Sequence, residues 1–232
     1  MRVLALIPAR GGSKRVVKKN LRKLGGLSLV ERAIRVTEGL EDIIDVMVST
    51  DDDDIAEESK SAGALVPWLR PKILANDTAS TVDVCLHALN WYESKNHKVD
   101  GVILLQPTSP FRKKSTLIDA IEKYKESKSE TIIGVSEMHP NPMWAFNIGK
   151  DGYMKPFNRK DGLEMRSQEV KPAYAVNGAY YILDANELKK NRSFYLSKLR
   201  PIICNKYEGL DIDTEEDWKY AEYLIQKRLV DE

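Results

Sequence analysis

Apolar and polar positions along this chain follow two alternating rhythms. Runs such as RVLALIPA (2–9), DVMVST (45–50) and DGVILLQPTSP (100–110) read as strands covered on both faces, the last running out into a loop. ALVPW (64–68), ETIIGVSEM (130–138), AYYILDANEL (179–188, strand then short helix) and RPIICN (200–205) continue the series. Between them lie windows of helical period: SLVERAIRVTEGL (28–40), DDDIAEESKSAG (52–63), STVDVCLHALNWYES (80–94), STLIDAIEKYKES (115–127) and TEEDWKYAEYLIQKRL (214–229). The helix ends carry their own signals. Ser28 with Glu31 predicts a capping box closed by Gly39, acids open the second helix and Gly63 ends it, and Thr214 with Asp217 caps the last. This strand–helix order predicts an α/β protein with a doubly wound, mostly parallel sheet and right-handed crossovers.

The rhythm breaks between 138 and 173. HPNPMWAFNIGKDGYMKPFNRKDG (139–162) holds three prolines, two Asp-Gly turn signals and scattered aromatic residues. It predicts an extended excursion, so the chain reads as one domain over 1–232 with a flap inserted at 138–173.

Composition narrows the function classes. The 232 residues are 42% hydrophobic and 31% charged, ordinary for a soluble globular protein, and the net charge of +1 gives no general basic surface for nucleic acid or an anionic membrane. The apolar run at 3–9 is too short for a secretory leader or a membrane span. Cys85 and Cys204 stand apart without metal or redox spacing, which predicts reduced core thiols and a cytoplasmic protein. His87, His97 and His139 likewise lack metal spacing.

Against that neutral background one loop is strongly positive. IPARGGSKRVVKKN (7–20) follows the first strand and carries Arg10, Lys14, Arg15, Lys18 and Lys19. In open α/β sheets ligands bind where strand C-termini meet such loops. Gly11 and Gly12 let backbone N–H groups approach an anion, Ser13 adds a hydroxyl donor, and Arg10, Lys14 and Lys19 can neutralise phosphate oxygens. The spacing is neither that of the Walker A loop nor GxGxxG. Near the C-terminus, Asp211 and Asp213 alternate in DID, so both carboxylates project to one side of an extended segment. Such a pair suits Mg²⁺, which keeps waters and bridges to phosphate, although Asp213 can equally cap the last helix. The acids at 51–54 read as helix N-terminal residues rather than metal ligands.

Six segments, IPARGGSKRVVKKN, VSTDDDDIA, LRPKILANDTAST, LLQPTSPFR, NGAYYI and DIDTEEDW, occur in order across residues 3–218. Together they resemble the CMP-sialic acid synthetases (N-acylneuraminate cytidylyltransferases), a family that includes CMP-legionaminate synthetases. The chain departs at Val17, where the family usually has proline.

The resemblance implies a Rossmann-like nucleotidyltransferase fold, a homodimer formed through the flap, and Mg²⁺ held by Asp211 and Asp213. It implies transfer of CMP from CTP to the 2-hydroxyl of a nine-carbon 2-keto sugar acid, N-acetylneuraminate or legionaminate, with release of pyrophosphate. Arg10, Gly11, Gly12, Ser13, Lys14, Asn20, Arg70 and Ser80 would bind nucleotide, Ser80 being read equally as a helix cap. Lys19, Arg166 and Asp211 would be catalytic, with Arg166 closing over the reacting phosphate or the sugar carboxylate. Gln106, Thr108, Ser109, Gln168, Asn177, Tyr180 and Tyr181 would bind the sugar. Thr108 and Ser109 also fit turn chemistry, and Tyr180 and Tyr181 point to opposite faces, so at most one of those two lines the pocket directly. Pseudaminate or Kdo as acceptor, a sugar-1-phosphate nucleotidyltransferase and a non-catalytic nucleotide-binding protein are the competing readings.

Overall fold

An unbroken apolar stretch leaves a strand no solvent face, and β1 (Val3–Pro8) is buried on both sides in the computed structural model, which describes residues 1–127, 131–157, 163–166 and 168–230. Val3, Ala5 and Ile7 pack into one core and Leu4 and Leu6 into another. A short pair, β2 (Lys23–Leu24) and β3 (Leu27–Ser28), leads into α1 (Leu29–Arg35). Ser28 Oγ accepts from the Glu31 N–H at 3.1 Å, but the Glu31 carboxylate turns to Lys23 and Arg35, so only half of the expected capping box forms. α1 ends at Arg35, and Gly39 stands in the following turn with φ of +68°.

β4 (Ile43–Ser49) pairs parallel with β1, and α2 (Asp53–Ser61) is capped by Asp52, which accepts from the Ile55 N–H at 3.0 Å. The strand expected at 64–68 reduces to one parallel bridge between Met47 and Leu65. Pro67 has no N–H to extend the ladder, which stops after Leu65. A 3-10 turn (Lys72–Leu74) precedes α3 (Thr81–Lys95), β5 (Gly101–Leu104), α4 (Lys114–Glu126) and β6 (Thr131–Glu137). The chain then leaves the sheet for an antiparallel hairpin of β7 (Phe146–Ile148) and β8 (Met154–Pro156). It returns as β9 (Tyr174–Asp184), followed by α5 (Ala185–Asn191), β10 (Leu199–Ile203) and α6 (Glu215–Gln226).

The main sheet has the order β10-β6-β9-β5-β1-β4. All its pairs are parallel except those of β9, which is antiparallel to β5 and β6. A parallel partner needs a crossover that carries the chain back to the starting edge. The excursion carries the chain into β9 without a described crossover helix, and it enters from the opposite end. Helices α1, α2 and α4 cover one face and α3 and α5 the other. α6 packs Trp218 and Ala221 against Val16, Leu29, Phe111 and Ile212, fastening the first loop to the DID segment. Both cysteines are buried free thiols, and no described helix is long and apolar enough to cross a membrane.

Candidate active site

β1 has β4 on one side and β5 on the other, so the strand order reverses there and the loops after β1 and β5 diverge around a crevice. The first wall is the basic loop. The Ala9 N–H still donates to the Ser49 carbonyl at 3.0 Å, extending the ladder, and the Gly11 N–H then donates to Asp51 Oδ1 at 3.1 Å. A Cβ on residue 11 would lie 2.4 Å from Asp52 Oδ2, so the loop can lie this close to the acidic turn only with glycine there. Asp51 therefore anchors the loop, next to the Asp52 that caps α2. Asn20, buried, donates Nδ2 to the Arg10 carbonyl at 2.9 Å, and its own carbonyl accepts from Val30 at 3.1 Å.

A cavity of about 320 Å³ lies inside this loop, lined by Arg10, Ser13, Lys14, Lys19, Asn20 and Asp213 among others. Two carboxylates hold its cations. Asp213 pairs with Arg15 at 3.0 Å and with Lys19 at 3.2 Å, and Lys19 Nζ also donates to the Ile212 carbonyl at 2.7 Å. Asp77 pairs with Arg10 and Lys14, each at 2.6 Å.

A second cavity, about 240 Å³, adjoins the first across Pro8, Arg10 and Asp77 and reaches Arg70, Thr81 and Gln106. Arg70 is buried and rigidly held: Nε donates to Ser49 Oγ at 3.1 Å, Nη1 to the Leu74 carbonyl at 3.3 Å and Nη2 to the Ser49 carbonyl. Burial lowers its pKa. Ser80 stands outside. It is exposed, and its hydroxyl accepts from the Val82 N–H at 3.2 Å as the cap of α3, while its neighbours Ala79 and Thr81 line the cavity. Thr81 rather than Ser80 is thus the hydroxyl-bearing residue of this cavity wall, because capping commits the Ser80 side chain to the helix end.

Gln106 also borders a third cavity of about 920 Å³, with Asn177, Gly178, Tyr181 and Asp211. Asn177 is fixed through both amide atoms, donating to Ser136 Oγ at 2.9 Å and accepting from the Ala179 N–H at 3.0 Å. Gly178 has φ of +76°, and a Cβ there would lie 3.0 Å from Gln106 Oε1, so glycine keeps this mouth open. Tyr181 lines the cavity, whereas Tyr180 lies in the opposite core with its hydroxyl on the Lys113 carbonyl at 3.1 Å and near Glu208. Tyr180 is therefore a core residue here, as the period of the strand requires of one of the two. The Ser109 hydroxyl is buried and has no partner among the described residues.

Asp211 and Asp213 flank the buried Ile212, Asp211 at the large cavity and Asp213 at the cation-lined one. Protein crowding pushes the Asp211 carboxyl up, and Asp213 adds to this; the Thr108 hydroxyl and Lys19 oppose it without cancelling it. The described residues hold no cluster of three or more potential metal-ligating side chains, so this pair would bind a cation only together with phosphate and water oxygens.

Arg166 and Gln168 are not brought to this crevice within the chain. Both are exposed and neither lines the three cavities; Arg166 shares a tight turn with Glu169, whose N–H donates to the Arg166 carbonyl at 2.8 Å. Conversely, sequence reasoning missed Arg112. Its guanidinium donates to the carbonyls of Ala179 at 2.6 Å, Ser109 at 2.8 Å and Gln106, tying the loop after β5 to β9. Burial lowers its pKa to about 10. The available signal was an arginine directly after a proline-rich turn at a strand end. Asp77 was also missed, a lone acid among the hydroxyls of NDTAST (76–81).

A doubly wound sheet whose crevice joins a cation-lined cavity to two further ones fits an α/β enzyme of nucleotidyl transfer. The chain belongs to the cytidylyltransferase family, whose model matches residues 4–232. It is 37% identical to the CMP-N,N'-diacetyllegionaminic acid synthase of Legionella pneumophila over 97% of both chains. It is 32% identical to the pseudaminic acid cytidylyltransferase of Campylobacter jejuni, again over 97% of both. The N-acylneuraminate cytidylyltransferase of Streptococcus agalactiae is 30% identical over 94% of this chain and 52% of its own length. Among solved structures, a CMP:2-keto-3-deoxy-manno-octonic acid synthetase complexed with CTP superposes with a TM-score of 0.73, at 16% identity, over 98% of this chain and 100% of that one. At that identity the likeness shows a shared fold.

Proposed function

We propose that this enzyme transfers CMP from CTP to the 2-hydroxyl of a nine-carbon 2-keto sugar acid, releasing pyrophosphate, with a legionaminate-type acid as the substrate. The carrying observation is the run of three connected cavities, in which Arg10 and Asp77 join the first to the second and Gln106 joins the second to the third. The base sits at the Arg70 end, the triphosphate lies along the basic loop, and the sugar fills the largest cavity. Support for the acid comes from the legionaminic acid relative, aligned end to end.

Nucleotidyl transfer is chiefly positioning and charge neutralisation. Arg10, Lys14 and Lys19 take the phosphate oxygens, and the Ser13 hydroxyl adds a donor. Gln106, Asn177 and Tyr181 orient the sugar hydroxyl toward the α-phosphorus. Asp211, in the wall of the large cavity and with a carboxyl that holds a proton more readily than usual, helps draw off the hydroxyl proton. Asp211 and Asp213 would together hold Mg²⁺, which supplies neutralisation of the phosphate charge.

The flap completes the enzyme as a homodimer. Ile148, Tyr153 and Phe157 are 76%, 73% and 65% exposed, an apolar surface that a second copy covers. Arg166 and Gln168 lie on the same excursion and reach the reacting groups in that assembly.

The test is pyrophosphate release with CTP, Mg²⁺ and legionaminate, pseudaminate, N-acetylneuraminate and Kdo in turn. The strongest signal is expected with diacetyllegionaminate. Preference for pseudaminate moves the substrate to the branch of the 32% relative. Turnover of sugar 1-phosphates alone, or CTP binding without turnover of any acid, overturns the reading.

A further inference from the structure

Asp77 sits in the segment between the 3-10 turn and α3, on the wall shared by the first two cavities. Its Oδ1 takes Arg10 Nη1 and its Oδ2 takes Lys14 Nζ, both at 2.6 Å. The carboxylate thus offers two oxygens to two cations of the basic loop, as a phosphate would. Among the described residues its hydrogen bonds and ion pairs go to these two side chains alone. Lys14 first, then Arg10, hold its carboxyl below the ordinary range, so it is anionic at neutral pH.

A nucleoside triphosphate reaching from Arg70 to Lys19 must cross this wall. It then competes with Asp77 for the same donors and meets a like charge. The segment is built to yield. Asn76, Asp77 and Thr78 are exposed, and the bonds that shape the turn are local: Asn76 Oδ1 accepts from the Thr78 N–H at 3.0 Å and hydroxyl at 2.8 Å, and Asn76 Nδ2 donates to the Ile73 carbonyl at 3.0 Å. These bonds move with the segment, so only the two ion pairs need to break.

Resting on the reading of the basic loop as a triphosphate site, we infer that Asp77 is the resident anion of that site: it occupies Arg10 and Lys14 until the phosphates displace it, and it recaptures them as pyrophosphate leaves. CTP entry is then an exchange of ion pairs rather than a simple capture. The same exchange speeds departure of pyrophosphate, because the cations it leaves are taken up at once.

Calorimetric titration at low ionic strength tests this, with CTP, inorganic pyrophosphate and cytidine as separate probes. Asp77→Asn and Asp77→Ser are expected to bind CTP and pyrophosphate about three- to tenfold more tightly than wild type, with cytidine unchanged. Pyrophosphate should inhibit these variants more strongly as a product by a similar factor. Asp77→Glu, which keeps the charge, should stay near wild type. Asp54→Asn removes a nearby acid that pairs with Lys18 at 3.4 Å outside the cavity, and should change either affinity less than about twofold. Equal or weaker CTP and pyrophosphate binding by the two folded Asp77 variants overturns the inference. So does an equal gain from Asp54→Asn, which would mark a general charge effect, or no pyrophosphate binding by any variant. Wild-type protein that binds pyrophosphate but not CTP would sink the CTP reading instead, leaving the pyrophosphate comparison to judge Asp77.

Discussion

At the end of the crevice proposed for the phosphates, five cations fall between residues 10 and 19 of one loop and are held mainly by ion pairs open to water. At the end proposed for the sugar, Gln106, Asn177 and Tyr181 come from the segment after β5 and from β9, and partly buried hydrogen bonds to backbone set the frame that carries them. The first arrangement is weakly held, because exposed pairs contribute little and salt screens them. That suits a site whose highly charged ligand must enter and whose charged product must leave. The second is rigid, because each bond lost there leaves a carbonyl without a partner away from water. That suits discrimination between similar sugars, which depends on polar groups fixed in place.

Asp211 lines the large cavity two residues from Asp213 of the cation-lined one, and its removal should have the largest effect. Asp211→Ala is expected to lower turnover by about a hundred- to a thousandfold, the scale of losing one group that stabilises developing charge. Pyrophosphate release at saturating CTP and sugar acid measures it, and near-normal turnover that keeps its Mg²⁺ dependence removes Asp211 from the chemistry. Arg166 decides which end the flap serves. Arg166→Ala should lower turnover about ten- to a hundredfold with CTP affinity kept, as expected for one lost charge-assisted bond. Because the side chain is exposed, the melting temperature should not move. Poor CTP binding at a normal rate would assign Arg166 to the nucleotide.

Arg112→Lys probes the rigid end alone. One ammonium cannot reach three carbonyls spread over Gln106, Ser109 and Ala179, so stability should fall by on the order of 3 kcal/mol and the KM for sugar should rise about tenfold. CTP affinity should be unchanged, and a parallel loss of CTP binding would mean that the two ends are not separable. The smallest effect is expected at Asp217, in the capping box of α6. Burial pushes its carboxyl up, but bonds from the N–H groups of Asp213 at 3.0 Å and Thr214 at 2.8 Å hold it below the ordinary range. Its contribution is therefore present above the usual carboxylate range and disappears as pH falls through the lowered folded value. Asp217→Asn should cost about 1 kcal/mol at neutral pH, with the deficit closing in acid. Urea unfolding at both pH values would show it, and an equal deficit at both would refute the ionic cap.

The two ends also differ in how far sequence could find them. The basic loop, the DID pair and the helix caps are contiguous, so residue type and spacing expose them directly. Arg112 and Asp77 also act through partners far along the chain, Ala179 and Arg10, which their local sequence does not reveal. Tyr180 and Tyr181 show the intermediate case. Their alternation was legible, but which of them faces the cavity depends on how β9 lies between β5 and β6. Ser80 and Thr81 differ for a similar reason, since one residue of helical start decides which of them caps the helix and which lines the cavity.

Local order along the chain was enough to dictate an α/β protein with a cation-rich loop after its first strand, because hydrophobic period, caps and glycines act over a few residues. The antiparallel insertion of β9, the joining of three cavities and the pairing of Asp77 with the basic loop came only with folding. Each depends on register and approach between segments tens of residues apart, and such distances are set by packing of the whole core rather than by neighbours in sequence.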